Sequence, residues 1–152
     1  EHEIALIDSL QPNEVAVLLC HQHHEIAPWG ELLSTRSQYL EAAGCLTDGS
    51  VRDVKRIRQM KFPVFAGNIG PLDSKHRGKL MWYDVPGKIH GVSVNSGDFI
   101  FGDVDGVVIV PQQITAEVME KALQKVREEN QVRGMLENGV SLAKTFEEHG
   151  IL

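Results

Sequence analysis

Apolar residues in this chain fall into short blocks whose spacing alternates between strand-like and helix-like. Glu14–Cys20 (EVAVLLC) is a nearly continuous apolar run, the pattern of a strand covered on both faces. Gly30–Ala43 follows with Leu32, Leu33, Tyr39, Leu40 and Ala43 at helical spacing, and Gly44 is a natural helix stop. Cys45–Thr47 predicts a second short strand, Asp48-Gly49-Ser50 a turn, and Val51–Met60 a helix with Val51, Val54 and Ile57 on its inner face. Val64–Ala66 predicts a third strand. This βαβαβ order calls for a parallel sheet with helical crossovers. Beyond Pro71 a polar stretch, Asp73–Lys79, precedes β-type runs at Ile89–Val94, Phe99–Phe101 and Val107–Val110. Turn chemistry at Asn95-Ser96-Gly97-Asp98 and Asp103-Val104-Asp105-Gly106 separates those runs. A long helix is expected from near Thr115 to about Asn138, and a short one over roughly Ser141–His149. The predicted fold class is mixed α/β, one domain over residues 1–152, with a C-terminal helical arm.

Composition narrows the function. The chain has 152 residues, so a core of useful size forms without staples. No apolar run approaches the roughly 18 residues of a membrane span. Glu1-His2-Glu3 does not open a signal peptide, and the expected location is the cytoplasm. The two cysteines, Cys20 and Cys45, sit in apolar runs and predict buried thiols rather than a disulfide framework. Net charge is −6, which argues against a general nucleic-acid surface.

In parallel α/β sheets, ligands gather beyond the C-terminal strand ends, where helix N-termini present free N–H groups. Two such junctions follow in succession, Trp29-Gly30-Glu31-Leu32-Leu33 and Asp48-Gly49-Ser50-Val51-Arg52-Asp53. If their strands are neighbours, Glu31, Arg52 and Asp53 come within reach of one another. Each also has a local explanation. Glu31 suits the helix macrodipole, Asp53 lies three residues after Ser50 as in a capping box, and Arg52 could be a surface cation. Together, a helix N-terminus, a guanidinium and two carboxylates suit a small anion bound through a divalent metal.

Glu31 and the Arg52-Asp53 pair are separated by 20 residues. That spacing, with the words around it, resembles the acidic-x20-Arg-Asp pattern of class II pyruvate aldolases in the RraA-like superfamily. Phe62-Pro63-Val64-Phe65-Ala66, Gly91-Val92-x-Val94, Ser96-Gly97-Asp98 and the run from Gly102 to Pro111 extend the likeness over nearly the whole chain. Members usually begin some tens of residues earlier, so the chain is expected to lack the family's N-terminal segment.

The resemblance implies a swivelling β/β/α domain assembled as a homotrimer or a hexamer. It implies 4-hydroxy-4-methyl-2-oxoglutarate aldolase activity, accompanied by oxaloacetate decarboxylation. Asp53 would bind Mg²⁺ or Mn²⁺, and Arg52 would pair with the oxygens of the pyruvyl unit. Backbone N–H groups across Gly30, Glu31, Leu32 and Leu33 would take the substrate carboxylate, and Glu31 would move protons through a water. The same superfamily contains a non-catalytic regulator of ribonuclease E, the competing reading, and the presence of both Glu31 and Asp53 favours the enzyme.

Other groups are weaker candidates. Lys75, His76 and Arg77 could greet a distal substrate carboxylate or be a solvated loop. His21, His23 and His24 invite a zinc reading but lack a further ligand at recognisable spacing. Asp103-Val104-Asp105-Gly106 lacks the rest of a calcium loop and reads as a turn. Asp48 is expected to be a turn or cap residue. In the long helix Val118, Ala122 and Val126 form a stripe that Glu129, Arg133 and Leu136 continue. Glu129 would pair with Arg133 or, like its rival Glu128, face a neighbouring subunit.

Overall fold

Three parallel strands form the sheet that positions the candidate site. The computed structural model describes residues 2–150. In chain order these form α1 (His2–Asp8), β1 (Val15–Leu18), α2 (Glu31–Tyr39), β2 (Gly44–Val51), α3 (Val54–Met60) and β3 (Val64–Ile69). Four short strands follow, β4 (Gly87–Ile89), β5 (Val92–Val94), β6 (Phe99–Asp103) and β7 (Gly106–Val110). A single 3-10 turn (Gln112–Ile114) leads into α4 (Thr115–Glu137) and α5 (Leu142–His149). The sheet order is β1-β2-β3, all parallel, as the βαβαβ pattern requires. The chain divides into two compact units, Glu1–Ile109 and Val110–Leu152.

The first unit is built around Ile7, Leu10, Ala16, Trp29, Ala42, Cys45, Val51, Ile57 and Phe62. Trp29 is fully buried and stacks on Phe62, with ring centroids 6.3 Å apart and an interplanar angle of 10°. Its indole N–H donates to Ser34 Oγ at 2.8 Å, and Ser34 Oγ donates in turn to the Gly30 carbonyl at 2.9 Å. The largest core side chain is thereby tied to the first turn of α2.

Several expected boundaries move. β2 runs on through Asp48-Gly49-Ser50 to Val51, and all eight of its residues are buried. Polar residues survive at the centre of the sheet because each finds a partner. Asp48 accepts the N–H groups of Cys20 and His21, Thr47 Oγ1 accepts the Gly49 N–H, and Ser50 Oγ donates to the His24 carbonyl. Asp48 is therefore a buried strand residue that closes the exit of β1, not a turn residue. The β2–β3 register shifts between Thr47 and Ser50, a bulge that local polarity mimics as a turn. Val51 belongs to the strand, and α3 starts only at Val54. α2 stops before Gly44, because Glu41 itself adopts positive φ (60°) and Gly44 opens β2. α1 has no counterpart in the sequence reading.

The Ile89–Val94 run is a hairpin rather than one strand. His90 (φ 47°) and Gly91 (φ 85°) both take positive φ, the requirement of a tight antiparallel turn. The Asp103–Gly106 stretch is the expected turn, with Asp103 Oδ1 accepting the Asp105 N–H at 2.8 Å. In the second unit α4 and α5 lie close to their predicted bounds, and Ser141 caps α5 by accepting the Lys144 N–H.

Truncating Trp29 removes the centre of the first unit's core. Trp29→Ala is expected to lower unfolding free energy by about 3–5 kcal/mol in urea titrations. Tyr39→Ala, at an exposed ring, should change it by only about 0.5 kcal/mol.

Candidate active site

Backbone pairing brings the two junctions side by side. Trp29 bridges Val51 in parallel, the Arg52 N–H donates to the Trp29 carbonyl at 3.0 Å, and the Ser50 N–H donates to the Ile26 carbonyl at 2.9 Å. On its other side the same segment meets a third stretch of chain. Ala27 bridges Asp73, and its N–H donates to the Leu72 carbonyl at 2.8 Å. Residues 26–30 thus lie between the end of β2 and the loop that follows β3.

Gly30 caps α2 with no side chain of its own. Its backbone is extended (φ −159°, ψ −167°), so conformation does not demand glycine. Space does: a Cβ would sit 2.8 Å from Asp53 Oδ2, 2.9 Å from Arg52 Cγ and 3.0 Å from Arg52 Nε. Into that gap Asp53 brings Oδ2 to accept the Glu31 N–H at 3.1 Å. The carboxylate caps α2 from a different loop, where the helix dipole also favours it. The expected capping box with Ser50 does not form. Asp53 is instead the N-terminal cap residue of α3 in the left-handed region (φ 60°, ψ 27°), and its carbonyl accepts the Arg56 and Ile57 N–H groups. Aspartate tolerates that conformation better than most residues.

Arg52 is held on two sides. Its Nη1 donates to the Ala27 carbonyl at 2.7 Å and lies 3.6 Å from Asp73 Oδ1, while Nε lies 3.8 Å from Asp53 Oδ2. Glu31, the first residue of α2, accepts from Arg56 Nε through Oε1 at 3.1 Å. Glu31, Arg52 and Asp53 are therefore neighbours, as their spacing led us to expect. The first-turn N–H groups of Leu32 and Leu33 precede the first intrahelical bond, from the Ser34 N–H to the Gly30 carbonyl. Leu32 projects its side chain into solvent, and Leu33 packs on the core.

Sequence reasoning missed three members of this neighbourhood. Arg56 could have been found, since it lies in the first turn of α3, three residues after Asp53. Asp73 carried no motif, and neither did Glu3 of α1. Burial pushes the Glu3 carboxyl above its ordinary value of 4.5, with the charge of Arg52 pulling it down and that of Asp73 pushing it up. A backbone hydrogen bond from Lys75 holds Asp73 below the ordinary 3.8, and Arg52 adds to that effect.

Glu3, Glu31, Asp53 and Asp73 outnumber Arg52 and Arg56 by four acidic side chains to two guanidiniums, so the edge is acidic before any ligand arrives. An anion binds there only with a compensating cation. For Asp53, the hydrogen bond from the Glu31 N–H and the approach to Arg52 Nε both fall on Oδ2, and its side chain is 46% exposed. A part-exposed carboxylate fits a hydrated hard cation such as Mg²⁺, which takes few protein ligands. It does not fit a closed zinc cage. Among the described residues no group of three or more His, Cys, Asp or Glu side chains is arranged to hold a metal.

The remaining candidates separate. His21, His23 and His24 do not converge: His23 faces Glu25, while His24 Nδ1 meets the Asp48 carbonyl at 2.8 Å and its ring stacks on His90. Lys75, His76 and Arg77 are exposed, and Arg77 Nη1 donates back to the Asp73 carbonyl at 3.3 Å. In α4, Glu129 pairs with Lys125 (3.8 Å) rather than Arg133, which donates to Asn130, and Glu128 accepts from Gln124. Val126 is exposed, and Val132 is the buried residue of that helix. Cys45 is fully buried but Cys20 only partly, and burial pushes both thiols up. Among the described residues no helix is long and apolar enough to cross a membrane.

Comparison with known proteins agrees with the fold. The family model for RraA-like proteins, described as Aldolase/RraA, matches residues 2–109. An uncharacterized protein of Methanocaldococcus jannaschii is 35% identical over 130 residues, covering 84% of this chain and 61% of that protein. A 4-hydroxy-4-methyl-2-oxoglutarate aldolase of Thermus thermophilus is 36% identical over 70 residues, 46% of this chain and 42% of that one. The chain thus spans about three fifths or less of these curated relatives. Among solved structures, an uncharacterized protein from Pseudomonas syringae pv. tomato superposes with a TM-score of 0.88 at 27% identity, over 91% of this chain and 70% of that one. Streptomyces coelicolor RraAS2, described as an unusual member of the RNase ES inhibitor RraA protein family, gives 0.76 at 27% identity, over 86% and 66%.

Two substitutions probe this edge. Asp48→Ala strips the Cys20 and His21 N–H groups of their buried acceptor and should cost about 1–3 kcal/mol of stability by chemical denaturation. For Glu3 the sign follows from its raised folded value: ionising it costs more in the fold than in the unfolded chain, so the contribution of Glu3 to stability falls as pH rises past 4.5. Glu3→Gln, always neutral, should be the more stable protein at pH 7, with the gap closing below pH 4.5 in thermal melts across pH.

Proposed function

The chain belongs to the RraA-like family, and from the geometry of its acidic edge we propose that it is a divalent-metal-dependent lyase acting on 2-oxo acids. The substrates are 4-hydroxy-2-oxo dicarboxylic acids of the 4-hydroxy-4-methyl-2-oxoglutarate type, and oxaloacetate. The observation that carries the reading is Asp53 Oδ2, which accepts the Glu31 N–H at 3.1 Å while lying 3.8 Å from Arg52 Nε. One carboxylate thus adjoins a helix N-terminus and a guanidinium, the groups needed to hold an oxo-acid beside a cation.

Asp53 would hold Mg²⁺ or Mn²⁺ through its carboxylate. A divalent ion there supplies positive charge to the keto oxygen as that oxygen becomes anionic. The Leu32 and Leu33 N–H groups, which precede the first intrahelical bond of α2, bind the substrate carboxylate. Arg52 faces the keto and carboxylate oxygens and stabilises the charge that grows there. In decarboxylation the bond from C3 to the terminal carboxylate breaks, carbon dioxide leaves, and the electron pair forms the pyruvate enolate. In aldol cleavage Glu31, through a water, takes the C4 hydroxyl proton as the C3–C4 bond breaks, the C4 fragment leaves as a carbonyl product, and the electron pair forms the same enolate. Glu31, acting through a water, returns a proton to C3 and completes pyruvate. Arg56, paired with Glu31, keeps that carboxylate turned toward the edge. The assembly we propose is a cytoplasmic homotrimer or hexamer, to which Glu128 or Glu129 of a neighbouring copy could add an acid. The likeness to the Streptomyces protein supports a second reading, a non-catalytic regulator of ribonuclease E.

Turnover separates the two. Purified protein with Mg²⁺ should release pyruvate from oxaloacetate and from 4-hydroxy-4-methyl-2-oxoglutarate, lose that activity to EDTA, and regain it with Mg²⁺ or Mn²⁺. Arg52→Lys should lower kcat/KM by about 10²–10³-fold, and Asp53→Ala should abolish the metal-dependent turnover. Unchanged turnover by Asp53→Ala would overturn the assignment. Absence of turnover together with inhibition of ribonuclease E would favour the regulator.

A further inference from the structure

Arg52 is gripped by a carboxylate on each side, and only one of them belongs to the paired junctions. Asp73 lies on the loop after β3, 21 positions beyond Arg52, and no sequence motif connects them. Its Oδ1 lies 3.6 Å from Arg52 Nη1, on the side of the guanidinium away from the Nε contact with Asp53. We propose that Asp73 is a positioning residue for Arg52, fixing the rotation of the guanidinium so that its remaining N–H groups face the oxo-acid. The proposal deepens the lyase reading and rests on it for its catalytic consequence.

Three observations support it. First, Asp73 is itself anchored: Oδ1 accepts the Lys75 N–H at 3.0 Å and sits 3.4 Å from Ser74 Oγ, so the carboxylate does not swing freely. Second, the backbone at Asp73 is paired with Ala27, and Ala27 supplies the carbonyl that accepts from the same Nη1 at 2.7 Å. Carbonyl and carboxylate therefore converge on one nitrogen from two paired strands of chain. Third, the Ala27 carbonyl, Asp73 and Asp53 engage Nη1 and Nε, so both edges of the fork are braced and its rotation is set from two directions. An arginine is useful against a carboxylate or enolate only when its planar fork is held at one rotation, because its donors are fixed relative to one another. The carboxylate of Asp73 is charged at neutral pH, since the Lys75 N–H and the Arg52 charge both hold its pKa down.

Asp73 also starts the cationic stretch Lys75-His76-Arg77, whose Arg77 folds back onto the Asp73 carbonyl. The grip on Arg52 thus tethers that stretch to the site.

Asp73→Asn isolates the charge. The amide oxygen still accepts the Lys75 N–H and preserves the local turn, while the ion pair with Arg52 is lost. The experiment combines steady-state decarboxylation of oxaloacetate with Mg²⁺ and NMR of the arginine side chains, with Arg52 assigned through Arg52→Lys. In wild type the Arg52 guanidinium should rotate slowly about its Nε–Cζ bond. In Asp73→Asn rotation should quicken several-fold, and kcat/KM should fall about tenfold with most of the loss in kcat. Asp73→Glu should restore part of both. Unchanged Arg52 rotation in Asp73→Asn overturns the proposal, and so does faster rotation with unaltered turnover. If wild type turns over no oxo-acid, the lyase reading fails, and the rotation measurement alone still decides whether Asp73 holds Arg52.

Discussion

The candidate site depends on one carboxylate reaching through the space of a missing side chain. Asp53 caps a helix that begins 22 residues earlier, and it can do so only because Gly30 has no Cβ to block Oδ2. That hydrogen bond fixes the distance between the first turn of α2 and the Arg52-Asp53 corner. It also commits one oxygen of Asp53 to the cap. The cap that α2 lacks locally thereby becomes the device that aligns a helix N-terminus, an acid and a guanidinium.

The rest of the first unit keeps this corner rigid. Trp29 fills the core beneath it and, through Ser34, holds the Gly30 carbonyl. The parallel bridge from Trp29 to Val51 sets the two junctions in register, and the bridge from Ala27 to Asp73 adds a third stretch of chain. Charge then decides what such a corner accepts. Four carboxylic side chains against two guanidiniums disfavour a dicarboxylic substrate unless a cation comes with it. A cation-assisted 2-oxo-acid lyase is consistent with both features.

Much of this was legible in the sequence, for identifiable reasons. The parallel sheet followed from the apolar runs and their order, and the convergence of Glu31, Arg52 and Asp53 followed from two consecutive strand-to-helix junctions. The misreadings share a cause: local residue chemistry was taken at face value where tertiary partners override it. Asp48-Gly49-Ser50 has the composition of a turn, yet it is buried strand because Cys20, His21 and His24 supply partners from another segment. Asp53 and Ser50 match a capping box, yet both side chains are used elsewhere. Glu129 and Arg133 stand at pairing spacing along α4, yet Glu129 takes Lys125 one turn earlier and Arg133 takes Asn130. Asp73 and Glu3 were invisible because their relation to Arg52 exists only after the chain has folded.

The central claim is that Asp53 is the anchor of a divalent-cation site at the start of α2. Electron paramagnetic resonance of Mn²⁺ titrated into wild type and Asp53→Asn tests it without relying on turnover. One Mn²⁺ should bind per chain of wild type, with its spectrum altered when oxalate is added as a mimic of the pyruvate enolate, and Asp53→Asn should lose both effects. Equal Mn²⁺ binding by the two proteins, with the same response to oxalate, would contradict the claim.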